Sequence, residues 1–201
     1  MKRIEVSTNL EASGDLAKLG VKRVDDLIVG VWNWDQPINN GVFDSTNHLF
    51  SKAMIVQGTS LTLAGVDIEH SVRRIGWTQL QRLEITSSIQ YSTLVKLIER
   101  LPELTKLMTV VQFDESQFDH VLERDIEKRR TSPVKKLRSR LQSLQITRAN
   151  KSDRPAVVRV AVWLLLLQLP TLSKFATDMR RVLQLPRLVR EYCGVKTPKV
   201  S

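Results

Sequence analysis

The chain has 201 residues, of which 31 are Lys or Arg and 21 are Asp or Glu, giving a formal net charge of +10. At 42% hydrophobic and 26% charged it lies among globular proteins and outside the disordered class. A single cysteine, Cys193, excludes an internal disulfide framework or a zinc site built on cysteines, and 5% aromatic content points to an aliphatic core.

Lys2 to Ser7 sets Ile4 and Val6 against Arg3 and Glu5, the two-residue alternation of a short strand. Asn9 to Gly20 reads as a helix closed by Gly20 in the manner of a C-cap. Val24 to Trp34 reads as a second strand with Leu27, Val29 and Val31 on one face. Trp32 and Trp34 share the other face, as packing residues or as anchors for a partner. Asp35 to Asn47, with Pro37, Asn39, Asn40 and Gly41, is loop. Residues 49–57 read as helical or buried, and Ser60 to Val66 as a further strand.

Beyond this point the chain repeats itself. Leu80-Gln81-Arg82-Leu83-Glu84-Ile85-Thr86 returns as Leu141-Gln142-Ser143-Leu144-Gln145-Ile146-Thr147, identical at five of seven positions. Leu101-Pro102-Glu103-Leu104-Thr105-Lys106-Leu107-Met108-Thr109 returns as Leu169-Pro170-Thr171-Leu172-Ser173-Lys174-Phe175-Ala176-Thr177, keeping Leu, Pro, Leu, Lys and Thr. Between the two motifs, Leu94, Leu97, Ile98 and Leu101 fall at helical spacing, as do Val162, Leu165, Leu166 and Leu169 in the second copy. The first motif repeats after 61 residues and the second after 68, so the second copy has seven more residues, expected before its helix. Each unit is a strand followed by a helix, with Pro102 and Pro170 punctuating the helix ends. One such unit cannot enclose a core, whereas a stack of them can.

The Leu-x-x-Leu-x-Ile pattern at Leu80, Leu83, Ile85 and again at Leu141, Leu144, Ile146 resembles the strand half of a leucine-rich repeat. Equivalent positions Leu83, Leu107, Leu144 and Phe175 are 24, 37 and 31 residues apart, and Ser88 and Ala149 stand where that family has Asn or Cys. Such irregular, long-helix units are similar to the ribonuclease-inhibitor-like solenoids of fungal F-box proteins, although no F-box helix bundle is read at the N-terminus. The resemblance implies an α/β fold, an irregular leucine-rich-repeat-like solenoid with neighbouring parallel strands and outer helices. Residues 1–59 would be degenerate N-terminal units, 60–180 the repeat region, and 181–201 a C-terminal cap helix and tail. It also implies that exposed strand residues on the concave side make the contacts: Arg82, Glu84, Lys106, Met108, Ser143, Gln145, Lys174 and Ala176.

Charge is unevenly divided. Residues 1–120 carry 12 basic and 15 acidic side chains, a net of −3, whereas residues 121–201 carry 19 and 6, a net of +13. Within the second part lie Lys128, Arg129, Arg130, Lys135, Lys136, Arg138 and Arg140. They read either as contacts to nucleic acid or an acidic partner, or as the solvated face of a helix over Asp114 to Arg130. The plainer reading is preferred, because no aromatic residue is interleaved for base stacking.

Catalytic patterns are thin. His48, His70 and His120 show no paired ligand spacing, Cys193 has no nearby histidine, and no phosphate-binding or nucleophile-elbow motif occurs. The expectation is a non-enzyme without cofactor or metal. Ala156 to Leu169, about 14 residues and containing Arg159, falls short of the roughly 20 needed to span a bilayer. No membrane association is expected, and a cytoplasmic or nuclear protein is anticipated. The function expected is a protein-interaction scaffold, as in the substrate-recognition part of a ubiquitin-ligase adaptor. Nucleic-acid binding through the basic second half is the alternative.

Overall fold

The computed structural model describes residues 3–8, 26–31, 60–65, 68–69, 72, 77–113, 136–150 and 155–179. They form seven strands, β1 (Arg3–Thr8), β2 (Asp26–Val31), β3 (Ser60–Ala64), β4 (Arg82–Gln90), β5 (Lys106–Gln112), β6 (Ser143–Arg148) and β7 (Lys174–Thr177). Two helices accompany them: α1 (Tyr91–Arg100), between β4 and β5, and α2 (Pro155–Gln168), between β6 and β7. All seven strands join one sheet whose spatial order is the sequence order, and every neighbouring pair is parallel. The fold is α/β, and the four strands of the repeated motifs lie side by side as the repeat requires. The helix expected over Asn9 to Gly20, the tryptophan pair and the helix expected over Asp114 to Arg130 lie outside the described residues, as does the C-terminal cap.

The register explains why leucine recurs. Ile4, Leu27, Leu61, Leu83, Leu107, Leu144 and Phe175 occupy one continuous row across the sheet. Two residues further along the strands, Val6, Val29, Leu63, Ile85, Thr109, Ile146 and Thr177 form the next. Where burial is described, β3 to β6 follow a two-residue alternation, with these rows buried and the residues between them partly or fully exposed. Parallel strands joined by right-handed crossovers and added always on the same side place their connections on one face. Accordingly Leu94, Leu97 and Ile98 of α1 and Val158, Ala161, Val162 and Leu165 of α2 share one core with Leu61, Leu83, Leu107 and Leu144. Removing each such Val, Leu or Ile side chain from water contributes about 1.5–3 kcal/mol. Trp77, fully buried in the same core, is structural.

The two copies share the turn that follows the helix and differ in its last bond, which reaches four residues back in the first copy and three in the second. Leu101 N–H donates to Leu97 O and Leu104 N–H to Leu101 O; in the second copy Leu169 N–H donates to Leu166 O and Leu172 N–H to Leu169 O. Pro102 and Pro170 sit in these turns, where a helix cannot continue through the residue before proline. Tyr91 Oη donates to Ala161 O at 3.0 Å and ties the two helices together.

Three details differ from the sequence reading. Leu80 and Leu141 lie just before their strands, buried at the turn into them, and Leu80 N–H bonds Trp77 O. Strand β4 runs on to Gln90 through an irregularity between Ile85 and Ser88, and enters α1 without a loop. The seven extra residues of the second copy are not all before its helix. Helix α2 is 14 residues against 10 for α1, and it starts 12 residues into its unit rather than nine. Four added residues make about one helical turn, which returns the apolar stripe to the same face.

Candidate functional site

The opposite face of the sheet carries no described helix. A parallel sheet is ordinarily covered on both faces, and its strands are then apolar throughout. Here the strands alternate, and on the side without a described helix the register collects the residues singled out from the motifs. Arg82, Lys106, Ser143 and Lys174 stand side by side as the first residues of β4, β5, β6 and β7. One step further, Glu84, Met108, Gln145 and Ala176 form a parallel row. Arg82, Gln145, Lys174 and Ala176 are exposed; Glu84, Lys106, Met108 and Ser143 are partly so. Neighbours in a row are about 4.8 Å apart and the rows about 6.7 Å apart, so the eight residues form one contiguous patch. The first row continues through Ser60 to Asp26 and Arg3, and the second through Thr62 to Ile28 and Glu5.

What holds this face in place is a repeated set of hydrogen bonds at the strand starts. The carbonyl of Gln81 accepts from Thr105 N–H, Lys106 N–H and the Thr105 hydroxyl, at 2.8, 3.0 and 3.0 Å. In the second copy the carbonyl of Gln142 accepts from Ser173 N–H, Lys174 N–H and the Ser173 hydroxyl, at 2.9, 2.9 and 3.1 Å. Between them Thr105 O accepts from Gln142 N–H and Ser143 N–H, both at 2.9 Å. The Thr-to-Ser exchange inside the second motif therefore keeps a hydroxyl where one is used. A hydroxyl kept at this place in both motifs is a sequence signal from which the ladder could have been found.

Glu69 had no such signal. Gln90 offers α1 no side-chain cap. Instead the Glu69 carboxylate accepts from Gln90 N–H and from the Thr93 hydroxyl, placing a negative charge at the helix N-terminus. This supports the β4–α1 junction from a residue 21 positions upstream.

The basic segment behaves differently from the sheet face. Lys128, Arg129, Arg130 and Lys135 lie outside the described residues. Lys136 Nζ donates to Leu167 O at 2.7 Å, at the C-terminal end of α2, where a cation complements the helix dipole. Arg140 pairs with Glu103 at 2.5 Å, and its backbone N–H donates to Pro102 O at 3.2 Å, joining the two copies. Arg138 is exposed. Two of the three described cations of this segment thus have internal partners. His48, His70, His120 and Cys193 lie outside the described residues. Among the described residues no helix is long and apolar enough to cross a membrane.

The chain matches no family model, no curated protein and no solved structure.

Proposed function

We propose that the chain is a non-catalytic protein-interaction scaffold, built as a leucine-rich-repeat-like solenoid, that binds another protein on the sheet face without a described helix. The supporting observation is that face itself: a parallel sheet packed by helices on one side and presenting two ordered rows of partly or fully exposed side chains on the other. Strands with their backbone bonds satisfied by neighbours hold side chains at fixed spacing, and a surface of that kind recognises a partner with little ordering cost. The ubiquitin-ligase adaptor role extends this reading by resemblance alone.

The test is capture of partners from native extract with three versions of the 201-residue chain. They are the unaltered chain, M108R/Q145R on the sheet face, and K96E/E99R on the outer surface of α1. The expected result is a partner retained by the first and third and lost by the second. The same set captured by all three overturns the proposal.

The net charge of +13 over residues 121–201 supports a second reading, nucleic-acid binding. Its measure is affinity for a generic duplex across a salt series. A phosphate-contacting surface weakens steeply as salt rises, and no binding at low salt removes this reading.

A further inference from the structure

The first row of the face without a described helix has a feature that protein binding in general does not require. Arg82 and Lys106 are direct cross-strand partners, and Lys174 lies two strands beyond Lys106 in the same row. Like charges set directly opposite one another destabilise a sheet. None of the three enters an ion pair with a described residue. In the two rows of β4 to β7 the anion is Glu84, and the remaining members, Ser143, Met108, Gln145 and Ala176, are neutral. The row therefore sets two like charges side by side, with Glu84 in the next row and in no ion pair with either.

Resting on the protein-binding reading above, we propose that this row binds an acidic segment of a partner protein, lying extended across the strand starts with carboxylates on alternate residues. The dimensions fit. Arg82 to Lys174 is three strand spacings, about 14 Å, and an extended chain advances about 3.3 Å per residue, so side chains at i, i+2 and i+4 span about 13 Å. Carboxylates at those places meet the three cations. The second row, uncharged from Met108 through Gln145 to Ala176, then lies alongside for uncharged side chains. A nucleic-acid strand fits less well, because the two rows of β4 to β7 hold no aromatic residue for a base to stack on.

The probe is a labelled peptide with the core Glu-Ser-Glu-Ser-Glu, its Gln-Ser-Gln-Ser-Gln counterpart and a generic single-stranded RNA of similar length, measured by anisotropy at low salt. The full chain is compared with R82Q/K106Q/K174Q and with K96E/R100Q, which removes the same charge of three from the outer surface of α1. The expected result is binding of the acidic peptide that weakens about tenfold or more in the face variant and less than about twofold in the helix variant. Relief of the repulsion should leave the melting temperature of the face variant equal to or above that of the unaltered chain. Equal weakening in both variants, equal binding of the glutamine peptide, or no binding overturns the proposal. RNA binding tighter than the peptide and lost with the same three residues also overturns it, in favour of a phosphate backbone. Should M108R/Q145R abolish partner capture while the acidic peptide is ignored, the face binds protein but its occupant is not acidic. Should neither matter, both readings fall.

Discussion

Helices α1 and α2 occupy the same place in two copies of one sequence unit, yet they meet their surroundings differently. Helix α1 buries Thr93, Leu94, Leu97 and Ile98 and exposes Lys96, Glu99 and Arg100. Helix α2 buries the equivalent inner stripe and also Val160, Trp163 and Leu164, which form a second cluster apart from the main core. A unit of this kind constrains only its inner stripe, because that stripe alone meets the sheet. The outer side is free to be a solvated surface in one copy and a second packing surface in the next.

Substitutions can break that comparison or sharpen it. Leu97→Ala and Leu165→Ala remove fully buried side chains from matching places, and each should cost about 3 kcal/mol in urea unfolding. A difference above about 2 kcal/mol between them would mean that the copies are not equivalent inside. The outer side should separate them instead. Trp163→Ala should cost about 3 kcal/mol and Val95→Ala, at the matching but only partly buried place, about 1 kcal/mol. Similar values for the two would remove the distinction between a packed and a solvated outer side. Glu69→Ala should cost about 1–2 kcal/mol by uncapping α1, and hydrogen exchange should rise in its first turn and not in α2. At the small end, Arg140→Gln breaks a pair whose side chains are 70% and 41% exposed, and should change stability by no more than about 0.5 kcal/mol.

The strands were legible in the sequence because a half-buried strand writes its period into the residue order. Ile4 and Val6 mark β1, Leu27, Val29 and Val31 mark β2, and the observed spans lie within a few residues of those read. The neighbour relations of β4 to β7 were legible because two motif pairs in one order demand equivalent places. The continuation of β4 through Thr86, Ser87 and Ser88 was not, since a polar run at an irregularity has no alternation to read. Nor was Glu69, whose partners are 21 and 24 residues away and follow no local spacing rule. Of the candidate site, the rows could be assembled from the motifs alone. The opposition of Arg82 and Lys106 became visible only once the register set two cations from different units side by side.

The division of the seven added residues between a longer helix and a longer approach to it sets a rule for how this chain can change length. A residue gained or lost within β5 would exchange the buried and exposed rows from that point on, because the strand period is two. The same change outside the strands leaves every row in place, and a gain of about one turn in a helix preserves its inner stripe as well. Length is therefore free to drift on the helical side and nearly frozen on the sheet side. Descendants of this sequence, natural or engineered, can lengthen their helices by whole turns while keeping the same rows of side chains on the sheet.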